Sequence, residues 1–361
     1  MHDAGNLTMQ EPSTNANVPD ASRRTTKSDE APHASSGGTE NAPRRPLGTT
    51  FRTPLSHRLA EKLIAALALT AIAAVLLIFV FIAREAIPLF WEHAFAEEAK
   101  LSDLVFPKQW RGYDEPVYIW QPVGNVAKYN LLPLFVGSLK VTFLAMLLSV
   151  PLGVGSAVFT SLYAPRWLRE TVKPAIELLA GIPSVVLGFF ALMVVATWAQ
   201  DVFGFQMRLN AFVAAIGLAL AIVPLIYTIS EDAILAVPGS LSEAALALGA
   251  RRYQIALRVV LPAAIPGITA AIVLGFGRAV GETMIVLMAS GNAALMEPLN
   301  LATSVRTVTA TIAAELGEVA QGDPHWRMLF LLGVILFAIT FVLNLAGAIA
   351  VRRLQKKLSA T

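Results

Sequence analysis

Six long apolar runs limit what this chain can fold into. They cover residues 63–83, part of 141–165, 178–200, 209–230, 267–290 and 328–351. An α-helix rises about 1.5 Å per residue, so about 20 residues cross the roughly 30 Å hydrocarbon core of a bilayer. Lipid offers no hydrogen bonds to a bare backbone, so each run should be helical. The sequence therefore predicts an all-α polytopic membrane protein with six transmembrane helices.

The composition excludes several classes of function. Only 15% of the residues are charged and the mean hydropathy is +0.61, which is too apolar for a soluble domain. There is no cysteine and no Gly-Lys pair, which rules out thiolate sites and a P-loop. The histidines show no ligand spacing, and no catalytic triad or pair of carboxylates at catalytic spacing is evident. We expect a chain that is not an enzyme and that binds no metal, nucleotide cofactor or nucleic acid itself.

The first 58 residues differ from the rest of the chain. They are rich in Ser, Thr, Pro, Asn and Ala, and they have almost no large apolar residue before Leu47. A segment of this composition cannot bury a core. We predict a disordered cytoplasmic tail over 1–58, followed by the first transmembrane helix over 59–83.

Lys and Arg residues are concentrated in alternate segments. Together, 1–62, the segment near 163–173, 231–266 and the C-terminal tail 352–361 carry 18 of them, whereas 84–132, the segment that contains Arg208 and 291–327 carry 8. Because basic residues favour the cytoplasmic side, the pattern predicts that both termini are cytoplasmic. Residues 84–132 would then be extracytoplasmic, either as a small folded insertion with a short strand pair or as an irregular loop with interfacial aromatic residues.

The inner segment 231–266 has the most specific pattern, within a predicted transmembrane domain of 133–351. Pro238-Gly239 indicates a turn, and the good helix formers that follow are interrupted at Gly249. A break at Gly249 predicts two short helices arranged as an L. A long structured loop on the basic side is more readily a docking surface than a linker.

This loop resembles the signature of ABC-importer permeases. In "EAALALGARRYQIALRVVLP", the matching positions are Glu243, Ala244, Ala245, Gly249, Val259, Leu261 and Pro262. Val259 replaces the isoleucine that is common there. The resemblance implies a type I importer permease fold in which these residues form coupling helices that dock on an ATPase subunit, with Gly249 at the bend.

Three further stretches resemble the permeases of the phosphate importer. They are "GIPSVVLGFFAL" at 181–192, "GRAVGETMIVLMASGN" at 277–292 and "VRTVTATIAAELGE" at 305–318. They are similar to the PstC-type subunit rather than to its PstA-type paralogue, and the resemblance covers about 130–351. It implies a bacterial inner-membrane protein whose partners are a PstA-type permease, an ATP-binding subunit dimer that consumes the ATP, and an extracytoplasmic phosphate-binding protein.

Two ionisable residues, Arg278 and Glu282, interrupt the fifth apolar run. Residues four apart share one face of a helix, so the two could pair and reduce the cost of a charge within the membrane. The pair could be a purely structural salt bridge. Alternatively, the planar fork of Arg278 could offer a transient site for an oxyanion. The resemblance implies that Arg278, Glu282 and Thr283 line the translocation path.

Three functions remain open from the sequence. The first is a phosphate-importer permease, which the resemblance favours. The second is a permease for another oxyanion, such as sulfate, molybdate or tungstate, which would also favour an arginine. The third is an ion-coupled secondary transporter or channel, which would need no docking loop.

Overall fold

The computed structural model describes residues 55–91, 101–110, 113–124 and 126–359. The predicted disordered tail lies outside these residues, apart from 55–58, which are helical. The chain divides into two compact units, Met1–Glu61 and Lys62–Thr361, and the packing described below concerns the second.

Helices dominate the described part of the chain. In chain order they are α1 Leu55–Ala86, α2 Leu132–Leu162, α3 Arg166–Ala180, α4 Ser184–Phe203, α5 Ala211–Leu235, α6 Gly239–Ala247, α7 Arg252–Gly281, α8 Met284–Ala289, α9 Val308–Glu315 and α10 Pro324–Ser359. One π-helical turn lies within α4, at Ala191–Val195, and another within α7, at Ala256–Val260. Short 3-10 turns occupy Ile87–Phe90 and Leu101–Leu104.

Six of these helices are long and apolar enough to span a membrane: α1, α2, α4, α5, α7 and α10. Each overlaps one of the apolar runs, so the prediction of six spans is confirmed. The boundaries differ most in the third and fifth runs. The third helix begins only after Pro183, because residues up to Ala180 belong to the separate amphipathic helix α3. The fifth begins at Arg252 and ends at Gly281, whereas the sequence predicts 267–290.

A small antiparallel hairpin lies between α1 and α2. Its strands, β1 Trp120–Gln121 and β2 Lys128–Tyr129, place Trp120 opposite Tyr129. Both aromatic side chains are buried, and they pack in one cluster with Leu134 of α2 and Leu329 of α10. Trp120 and Tyr129 therefore contribute to a small core, and their antiparallel pairing confirms the predicted strand pair. The side of the membrane on which it lies remains a prediction.

Small residues allow the central helices to approach one another closely. Along α2 and α5, a Cβ on Gly153 would lie 2.8 Å from Cγ2 of Ile226. Where α5 meets α4, a Cβ on Gly217 would lie 2.8 Å from Cβ of Ala191. Close packing of this kind, rather than hydrophobic burial, drives helix association in lipid. It fixes α2, α4, α5 and α7 around one buried cluster.

Candidate functional site: a broken helix and a coupling loop

The fifth membrane-spanning helix breaks at the Gly281-Glu282-Thr283 stretch. The backbone of Glu282 is extended, with φ −71° and ψ 131°, and the chain resumes a helical course only in α8. The freed backbone groups find local partners. Thr309 Oγ1 donates a hydrogen bond of 2.9 Å to the carbonyl oxygen of Glu282, and Thr283 Oγ1 donates one of 3.4 Å to that of Gly281.

This break corrects the predicted Arg278–Glu282 salt bridge. Arg278 lies in the last turn of α7, while Glu282 lies beyond its end, so the two do not share a helical face. They form no ion pair with each other in the described part of the chain. A pairing that reduces the cost of both charges is therefore not what holds them in the apolar run.

The break lies at membrane depth. Helices α7 and α10 cross in antiparallel sense: a Cβ on Gly277 would lie 2.9 Å from Oδ1 of Asn344, and a Cβ on Gly347 would overlap Cγ1 of Val273. Continuing this register places Gly281 near Thr340, well inside the apolar run of α10. Non-helical backbone at such a depth is tolerated only where protein surrounds it or where it lines a cavity.

Glu282 and Arg278 line different cavities. Glu282 is half-buried and lines a small pocket with the hydroxyl-bearing residues Ser138, Thr142, Thr307 and Thr309. Arg278 is exposed and lines an open groove between α7 and α10, together with Asn344 and Arg352. The third predicted path residue, Thr283, lines another pocket with Thr309 and Trp326. The structure thus brings the three residues to one break but not to one cavity.

A half-buried polar cluster, which the sequence did not suggest, ties the hairpin to α9 and α10. The carboxylate of Glu315 forms an ion pair with Arg306 at 2.7 Å, and Nε2 of His325 lies 3.2 Å from the same carboxylate. It also accepts hydrogen bonds of 3.1 and 3.2 Å from the indole N–H of Trp120. Since α9 carries both Glu315 and Thr309, this cluster fixes the helix whose hydroxyl holds the carbonyl of Glu282. Trp120 and Glu315 are 195 residues apart, so no local sequence pattern could predict their contact.

We expect Glu315→Gln to destabilise the subunit strongly. The change leaves the half-buried Arg306 without its carboxylate, and losing a charge-assisted contact costs about 1.5–3 kcal/mol. Denaturant titration of the purified subunit in detergent measures the loss in free energy of unfolding. Glu318→Gln is the matched control, because Glu318 is exposed three residues along and should change stability little. Equal stability of the two variants would show that the cluster does not anchor α9.

The bend predicted at Gly249 is confirmed in the segment 231–266, which is called the coupling loop after its predicted role. Gly249 has φ +79°, in the left-handed region, and it separates α6 from α7. The sequence predicts a second short helix after Gly249. In the structure this part forms the first turns of α7, because Arg252–Gly281 continues through Leu261 and Pro262. Glu243 and Ala244 are exposed, Ala245 is half-buried, and Leu261 and Pro262 are half-buried at the base of the loop.

The coupling loop presents large apolar side chains to its surroundings. Leu248 is 89% exposed, Leu246 is 54% exposed and Tyr253 is 50% exposed. Single exposed apolar residues are ordinary, but several on one short bent segment are typical of a docking surface.

Helix α3 is linked to the end of α5 that leads into this loop. Lys173 Nζ lies 3.0 Å from Oε2 of Glu231, a carboxylate that is 1% exposed. Contact with this carboxylate raises the pKa of Lys173 above its ordinary value, because it favours the ammonium form. The ion pair therefore joins the amphipathic helix α3 to α5 four residues before that helix ends.

Comparison with known proteins agrees with this architecture. A family described as the binding-protein-dependent transport system inner membrane component matches residues 149–360. A probable ABC transporter permease, YqgH, from Bacillus subtilis is 36% identical over 62% of this chain and 72% of its own length. Phosphate transport system permease proteins are similar too. PstC of Xylella fastidiosa (strain 9a5c) is 34% identical over 66% of this chain and 78% of its own length. PstC 1 of Mycobacterium tuberculosis is 34% identical over 65% of this chain and 75% of its own length.

Two solved structures share the fold. The alginate ABC transporter in complex with a pentasaccharide-bound periplasmic protein matches with a TM-score of 0.54 and 17% identity, over 83% of this chain and 98% of that one. An inward-facing MetNI methionine ABC transporter matches with a TM-score of 0.50 and 21% identity, over 62% of this chain and 95% of that one. At these identities the likeness concerns the fold alone, which is the type I ABC-importer permease fold. With six spanning helices and a family match over more than half its length, this chain is a multi-pass membrane protein that belongs to the binding-protein-dependent transport system inner membrane component family.

Proposed function

We propose that the chain is the permease subunit of an ATP-driven inorganic phosphate importer and forms half of its translocation path. The observation that carries the proposal is Arg278, exposed in an open groove at membrane depth and without an ion-pair partner in the described residues. A charge in that position is costly, so intramembrane arginines usually mark a pathway for a substrate or an ion. Its fork suits a tetrahedral oxyanion. Similarity to phosphate permeases favours phosphate among the oxyanions.

The energy and the substrate come from partners in this proposal. Because the chain belongs to a binding-protein-dependent transport family, we favour an importer that an ATPase drives over an ion-coupled transporter. The exposed face of α6 and the bend at Gly249 would dock an ATP-binding subunit, so the chain itself binds no cofactor. The remaining partners are a PstA-type permease that completes the path and an extracytoplasmic phosphate-binding protein.

Uptake by the whole complex tests the proposal. Vesicles that carry both permeases, the ATPase and the binding protein should accumulate labelled phosphate only with ATP on the ATPase side. An excess of unlabelled sulfate, molybdate or tungstate should compete poorly. Strong competition by one of these anions, together with its own ATP-dependent uptake, would make the chain a permease for that oxyanion instead.

Orientation is a separate prediction, with both termini and the coupling loop in the cytoplasm and the hairpin outside. Because the chain has no cysteine, single introduced cysteines report alone. Val123 in the hairpin segment is 80% exposed and Leu248 in the coupling loop is 89% exposed, so both sites are accessible. An impermeant thiol reagent added to intact cells should label Val123→Cys and spare Leu248→Cys. The reverse pattern would invert the topology.

A further inference from the structure

The groove that holds Arg278 continues towards the coupling-loop end of the molecule. Its wall on α10 consists of Asn344, Gly347, Ala348, Val351, Arg352 and Gln355. These positions recur at spacings of three and four residues, so they form one face of the helix. Small residues line the middle of the groove, and polar side chains occur again at its inner end.

The second arginine of the groove, Arg352, lies closer than Arg278 to the coupling-loop end of the molecule. Asn344 lies beside Gly277, the neighbour of Arg278. Arg352 follows eight residues later on α10, about 12 Å along the helix axis at 1.5 Å per residue. Its side chain is exposed.

The charge of the groove favours an anion. No acidic side chain is among the described residues that line it. Neither arginine forms a hydrogen bond or an ion pair with another residue in the described ranges, so both guanidinium groups remain free to bind a ligand. The groove is open to its surroundings, which suits a passage rather than a closed site for one ion.

We propose that Arg352, together with Gln355, is a second oxyanion contact on the inner side of Arg278, and that the anion passes from one arginine to the other along α10. The proposal rests on the proposed function and adds the inner step of the path. Conduction requires sites that are individually weak and more than one in number, so that an ion that enters can also leave. Two unpaired arginines in one groove meet this requirement, since neither alone must hold the anion tightly.

Arg352 also belongs to a basic cluster at the end of α10, and such clusters commonly anchor a helix at the cytoplasmic membrane surface. Arg353 provides the matched control. It is exposed, carries the same charge and lies one residue further, about 100° around the helix at 3.6 residues per turn, and it does not line the groove. A membrane anchor would use both arginines, whereas a contact in the groove would use Arg352 alone.

The experiment compares Arg352→Gln with Arg353→Gln in the full complex, reconstituted in vesicles with ATP and labelled inorganic phosphate. We expect Arg352→Gln to lower the maximal uptake rate by about threefold to tenfold, the range expected for one lost hydrogen-bonding group. Assembly and the apparent KM for the loaded binding protein should be unchanged. Arg352→Lys should be intermediate, and Arg353→Gln should match the wild type.

Three results would overturn the proposal: wild-type uptake by Arg352→Gln, equal losses in the two Gln variants, or a loss explained by failed assembly. The second of these would assign Arg352 to anchoring at the membrane surface. If the wild-type complex transports another oxyanion instead of phosphate, the proposed function fails. The same variants, assayed with that anion, then decide the role of Arg352 separately.

Discussion

Gly249→Val should abolish ATP-driven uptake while leaving the subunit inserted in the membrane. Gly249 has φ +79°, and a left-handed backbone costs an L-residue about 1–2 kcal/mol, with β-branched side chains among the worst. No atom lies within 4 Å of a Cβ added at Gly249, so the effect acts through the backbone and not through a clash. A changed bend alters the orientation of α6 relative to α7, and the loop should then no longer dock on the ATPase. Uptake and co-purification of the ATPase measure the loss.

Two further variants separate the bend from the side chain. Gly239→Val adds the same side chain at another exposed glycine of the loop, where the space is open and φ is not in the left-handed region, so uptake should persist. Gly249→Asn should recover much of the activity, because asparagine adopts left-handed backbone more readily than other non-glycine residues. Normal uptake by Gly249→Val, at normal protein levels, would contradict the coupling role of the loop.

The second large effect is expected at Arg278. Arg278→Gln should lower phosphate uptake by about 10- to 100-fold, which corresponds to one lost charge-assisted contact of about 1.5–3 kcal/mol. Arg278 is exposed in its groove and has no partner to strand, so assembly should be normal. Arg278→Lys should be impaired too, since an ammonium keeps the charge but loses the bidentate fork. Uptake at saturating binding protein is the measurement.

The double replacement Arg278→Leu with Glu282→Leu tests the two explanations of the charges. A purely structural pair would tolerate the loss of both partners better than the loss of one. The structure shows no such pair, so we expect no rescue, with the double variant transporting no better than Arg278→Leu alone. A double variant that assembles and transports at the wild-type rate would remove Arg278 from the path.

Sequence alone determined the features that depend on local pattern. Six apolar runs of sufficient length set the number of spanning helices, because bilayer thickness and backbone hydrogen bonding leave few alternatives. The bend at Gly249 was predictable for a similar reason, since a glycine between two helix-forming stretches marks a position that other residues fill poorly. The strand pair around Trp120 also followed from local composition.

Contacts between distant residues decided the rest. The sequence placed Arg278 and Glu282 on one helix, but α7 ends at Gly281, where Thr309 from α9 holds the carbonyl of Glu282. Helical spacing cannot predict this, because the alternative hydrogen-bond partner comes from 27 residues away. The groove in which Arg278 lies near Arg352 likewise exists only through the crossing of α7 and α10 at Gly277 and Gly347. Local chemistry thus determined which helices and charges exist, while packing of helices distant in sequence determined which cavity each charge faces.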